Sequence, residues 1–193
     1  MGWFDNFRKP KTNPMEDYSV KLFTLAIEGV DEIRKLSEDK TVEQPKFGLL
    51  NAEYFAVFNA FHNLYLHITE REASLAVGNT RRDEMMKPLV FWSIDNAVNT
   101  LCEGLAQKTL PNIKKECVEH LNWSNETYGK CKKLFSSPEE SPEGTILWRF
   151  GIEVAELAER PKNKNYIITS QAQAMKGINS LDAKSYIRQF FAE

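Results

Sequence analysis

Cysteine is scarce in this 193-residue chain: Cys102, Cys117 and Cys131 are odd in number, and no two have C-x-x-C spacing. That usage suits reduced thiols rather than a disulfide framework. Glycine is scarce too, with nine residues and no G-x-G-x-x-G or P-loop among them, so no phosphate cradle is expected. Of the three histidines, none has Glu three residues before it; Asn59, Leu64 and Cys117 stand there instead. A carboxylate-bridged di-iron site and an H-E-x-x-H zinc site are thereby excluded. The G-x-S-x-G elbow of a serine nucleophile is missing as well.

Charge of one sign is also lacking. Lys and Arg number 25 against 27 Asp and Glu, a formal net of −2. The cations come in scattered pairs with acids nearby in sequence, as at Lys114 and Lys115 or Lys132 and Lys133. A phosphate backbone needs clustered positive charge, so no nucleic-acid partner is expected. The longest stretch without Asp, Glu, Lys or Arg is 54–69. A membrane span needs roughly 20 apolar residues, and this shorter run holds Asn59, His62, Asn63 and His67. No transmembrane segment is therefore expected. The first residues show neither an apolar signal core nor a myristoylation pattern, since Asn6 replaces Ser or Thr. A cytoplasmic address follows as the expectation.

What remains is a composition of 42% hydrophobic and 27% charged residues, ordinary for a folded domain. A chain this long buries about 70% of its unfolded surface and needs no staples. Periodicity at three- and four-residue steps runs through most of it, and no alternating strand pattern appears. The expected fold is all-α: a single-domain helical bundle of six or seven helices (residues 15–193) preceded by an N-terminal arm (1–14). Helices are expected over about 16–37, 47–77, 80–105, 112–135 and 145–160, with a final hairpin of 167–177 and 181–191 broken at Gly177 and Asn179. The stripe of the first begins Val20, Phe23, Ile27, Val30. In the third, Pro88 marks a kink or a new start, and Phe91, Ile94 and Val98 point inward. In the fourth, Phe135 points inward, and Lys130, Lys132 and Lys133 complement the last turn's dipole. The 47–77 helix, striped by Phe47, Leu50, Tyr54, Phe58, Phe61, Tyr65 and Ile68, is expected to be long, mostly buried and central.

Chemistry-bearing candidates are few. Asn59, His62, Asn63 and His67 lie at helical spacing inside the uncharged run. Polar groups there must find hydrogen bonds, so they form either a structural network or the polar end of a ligand pocket lined by Phe55, Phe58 and Tyr65. Cys117 and His120 make half a zinc face. Cys131 would lie about 21 Å further along the same helix, at about 1.5 Å per residue, so neither a metal site nor a cofactor is expected. Trp3, Phe4 and Phe7, followed by Arg8 and Lys9, form a short amphipathic element that could touch a partner, a membrane surface or its own bundle. No catalytic residue emerges. The expected function is non-enzymatic protein–protein interaction or self-association. Small-ligand sensing through the Asn/His cluster and membrane-surface contact through the arm are the alternatives.

Overall fold

The computed structural model describes residues 13–36, 52–137 and 139–192. Among them the chain is all-α, with no strand beyond an isolated bridge between Lys133 and Thr145. Helix α1, Pro14–Lys35, starts where Asn13 caps the Met15 N–H at 3.0 Å and Pro14 supplies a fixed φ. Its buried stripe is Tyr18, Leu22, Leu25, Ala26, Val30 and Ile33. The expected stripe holds at Val30 but not before it: Val20 is 55% exposed and Phe23 and Ile27 are half-buried. Gly29 lets α1 come close to α2, since an added Cβ there would meet the Phe61 ring at 2.6 Å. Tyr18 meets the Thr69 hydroxyl at 2.9 Å.

Helix α2, Ala52–Leu101, is bent at Gly78, whose φ of 76° and ψ of 168° suit glycine almost alone. The two arms, 52–77 and 79–101, are tied across this elbow by Arg82. Its guanidinium holds Asp83 at 2.7 Å, Ser74 at 3.2 Å and Glu70 at 3.6 Å. Every residue over 57–69 is buried, and α2 packs against α1, α3, α4, α5 and α6. The expected start at 47 lies outside the described residues. Pro88 neither stops nor restarts the helix; the burial of Met85, Met86 and Leu89 around it outweighs one forfeited hydrogen bond. Phe91, expected inside, is 70% exposed.

Helix α3 spans Leu110–Gly129 and ends six residues earlier than expected. Lys132 and Lys133 lie beyond it, Lys130 is its C-cap, and Phe135 is 57% exposed, so neither the dipole argument nor the inward placement holds. Thr145 then caps α4, Ile146–Leu157, by accepting the Trp148 N–H at 3.2 Å. Helix α5, Lys164–Leu181, runs straight through Gly177 and Asn179. Its break comes at Asp182, a left-handed residue whose carboxylate caps α6, Ala183–Phe190, at the Ser185 N–H. Taking α5 and α6 together across that single residue, the described residues form five helical rods rather than the six or seven expected.

Candidate functional site

The polar residues of the uncharged run do not act as one cluster. Asn59, Asn63 and His67 recur every fourth residue and face α3. Asn59 Oδ1 accepts from the Cys117 thiol at 3.6 Å; Asn63 Nδ2 donates to His120 Nδ1 at 3.1 Å; and His67 Nδ1 donates to Asn125 Oδ1 at 2.9 Å. The pairings advance together along both helices, so α3 runs parallel to the 52–77 arm, one rung per turn. All three arm residues are buried, where an unmet polar group costs about 1–3 kcal/mol. The ladder therefore fixes the register of α2 against α3.

The middle rung continues into α4. With Asn63 donating to Nδ1, the His120 proton sits on Nε2, which lies 3.1 Å from Glu153 Oε1. The other oxygen of Glu153 accepts from Tyr128 at 2.5 Å. Glu153 is buried, and burial beside that carboxylate pushes the Tyr128 hydroxyl far up in pKa. The His120 ring also stacks on Trp123, centroids 5.6 Å apart. A His–carboxylate pair near the surface resembles the orienting half of a catalytic base. Both ring nitrogens, however, already face protein partners, so no lone pair is left for a substrate proton.

His62 stands apart. It is buried and stacks on Phe58 at 5.5 Å; its Nε2, like that of His67, has no hydrogen-bond partner. Burial lowers its pKa to about 4 from the usual 6.5. Above pH 6.5 the ring is neutral in both the folded and the unfolded chain. Between about 6.5 and 4 the unfolded chain takes a proton that the folded one refuses, so stability falls as pH falls, by up to about 3 kcal/mol. Burial lowers His67 in the same direction, with Asn125 opposing. Urea unfolding across this window is expected to show that loss in the wild type and a flatter profile in His62→Leu. Equal slopes would contradict the assignment.

The aromatic candidates belong to the core. Phe58 is fully buried among Phe23, Phe55 and His62, and Tyr65 is fully buried against Phe61. Burial raises the thiols of all three cysteines, that of Cys117 to about 11, which keeps them protonated and poor nucleophiles. Among the described residues, no group of three or more His, Cys, Asp or Glu converges on a metal-sized point. No described helix is long and apolar enough to cross a membrane. Trp3, Phe4, Phe7, Arg8 and Lys9 lie outside the described residues.

Sequence reading passed over the surface between the end of the first α2 arm and α6. A groove of about 670 Å³ opens there, lined by Leu75, Ala76, Val77, Ile187 and Phe191, with Glu72, Lys184 and Arg188 at its edges. Leu75 is 82% exposed, the most exposed of the large apolar side chains among the described residues. Smaller grooves of about 310 and 290 Å³ run between the second arm and α3 past Val90, Phe91 and Val118. The signal in sequence was weak: Leu75 continues the apolar pattern of its helix, and only its neighbours' positions show that nothing covers it. Fold and site together define an all-α bundle with an internal polar ladder and an open apolar groove. Comparison with family models, curated proteins and solved structures finds no match.

Proposed function

We propose that this chain is a non-enzymatic protein–protein interaction module that docks a partner in the groove between 72–77 and α6. The observation that carries the reading is Leu75, 82% exposed on the lip of a mostly apolar trough that also holds Ile187 and Phe191. Contiguous exposed apolar surface of this kind marks interaction sites. The polar side chains of the ladder support the same reading, since Asn59 meets Cys117, Asn63 meets His120 and His67 Nδ1 meets Asn125 across the α2–α3 contact, leaving them to join helices. We take the first arm of α2 as the bundle's organising helix, supported by its unbroken buried run. A reducing, cytoplasmic setting belongs to the proposal and is supported by three free cysteines.

Leu75→Glu tests the reading. Its side chain is exposed, so stability should change by no more than about 0.5 kcal/mol. Partners captured by immobilised wild type, or a self-association seen by sedimentation, should be lost. Identical capture and sedimentation by both proteins would refute the assignment. A ligand-sensing role ranks second, favoured by the unpartnered His62 Nε2; it would need a small molecule whose stabilising effect disappears in His62→Leu. Membrane-surface contact through Trp3, Phe4, Phe7, Arg8 and Lys9 would need liposome binding that deletion of 1–12 abolishes.

A further inference from the structure

We infer that the occupant of the groove between 72–77 and α6 is a two-turn stretch of amphipathic helix, from another protein, with acidic residues flanking its apolar face. The inference rests on the docking reading above and adds the partner's chemistry.

Length comes first. The walls run from Glu72 to Val77 and from Lys184 to Phe191, about 7.5 Å and 10.5 Å at 1.5 Å per residue. Two turns of a third helix, about 11 Å, match them. Two helices side by side present ridges that a third helix fills with residues at i, i+3, i+4 and i+7. The trough is concave, and Ile187 at its floor is only 2% exposed.

Charge comes second. Lys184 and Arg188 stand on the α6 rim, and the Arg81 guanidinium lies 4.2 Å from the centroid of Phe191, which lines the groove. Among the described residues that line the groove, Glu72 is the acid opposing these cations, and its oxygen is 3.8 Å from the Lys184 ammonium. Arg81 and Arg188 have no acidic partner among the described residues. Such a rim attracts carboxylates and repels cations.

Charge argues against this chain's own residues 1–12, and distance argues against residues 37–51. Residues 1–12 carry Arg8, Lys9 and Lys11 against Asp5, and a basic segment is repelled. Residues 37–51 join Leu36 to Ala52. Ala52 lies about 35 Å from Leu75 along the first arm, at 1.5 Å per residue.

The test uses the full chain and two dye-labelled helical peptides carrying the same leucines at i, i+3, i+4 and i+7. One peptide is flanked by glutamates and the other by lysines. By fluorescence anisotropy at low salt the glutamate peptide should bind at least about tenfold more tightly, with the gap closing as salt rises. Lys184→Glu/Arg188→Glu should reverse the preference, and Leu75→Glu should abolish binding of both peptides. If both peptides bind equally and both are lost in Leu75→Glu, the groove stands and the acidic partner is overturned. If neither binds, or binding ignores Leu75→Glu, the docking reading falls with the inference. Self-association, or binding to anionic vesicles, that disappears in Leu75→Glu would replace the helical partner by a second copy or by lipid, and would also overturn the inference.

Discussion

Glu153→Ala is expected to cost about 4 kcal/mol of folding stability. Glu153 is buried on α4, and its two oxygens meet groups from α3: the Tyr128 hydroxyl at 2.5 Å and His120 Nε2 at 3.1 Å. Truncation strands the fully buried Tyr128 hydroxyl without an acceptor, worth about 1–3 kcal/mol, and leaves a cavity whose walls relax only in part. His120 suffers less, because its half-exposed ring can reach water.

Glu153→Gln separates the two contacts. The amide keeps the volume and its carbonyl can still accept from Tyr128, but its NH2 group then faces the Nε2–H of His120, donor against donor. Turning the tautomer would spoil the Asn63 bond instead. Roughly half the loss is therefore expected, about 2 kcal/mol. Urea unfolding of Glu153→Ala, Tyr128→Phe and the pair should give a coupling of about 1–2 kcal/mol, as neighbours sharing one bond do. A cost below about 1 kcal/mol for Glu153→Ala would mean that the network carries no stability.

That network shows how far the sequence could be read. Asn59, Asn63 and His67 stand out because polar residues inside an uncharged helical run must be satisfied. Their partners Cys117, His120 and Asn125 sit about 58 residues later, and no local pattern names them. Glu153 was visible in principle: it shares a helical face with Phe150 and lies beside Val154, so it is a charge inside an apolar stripe. Periodicity alone invites the reader to skip it. The all-α class came through because helical periodicity is local. The stripe on α1 was misread by Val20, because which apolar residue is covered depends on the neighbouring helix. The groove at Leu75 was illegible for the same reason: exposure is decided by what fails to pack there. Breaks fared worst where glycine had two meanings. Gly78 bends the chain through a positive φ, whereas Gly177 is helical and serves as a recess.

Gly177→Ala should accordingly behave opposite to the rule for helix interiors. Alanine ordinarily gains about 1 kcal/mol over glycine inside a helix. At position 177 an added Cβ would lie 2.1 Å from the Tyr65 hydroxyl oxygen, 2.5 Å from Cζ and 2.8 Å from Cε1. Tyr65 is fully buried and packed on Phe61, so the ring cannot swing clear without moving the core of α2. Overpacking of this severity costs about 3 kcal/mol or more, enough to outweigh the helix gain. Tyr65→Phe removes the shortest contact and leaves the other two. It should restore about 1 kcal/mol in the Gly177→Ala background, while costing little alone because the hydroxyl has no hydrogen-bond partner. Gly129→Ala is the control: it lies at the end of α3 with nothing within 4 Å of the new methyl, so it should be neutral or stabilising. Opposite signs for one substitution at two helical glycines would show that α5 lies on the 52–77 arm at bare-backbone distance. A gain at both positions would mean that the two helices stand further apart, and that Tyr65 is not the residue setting their spacing.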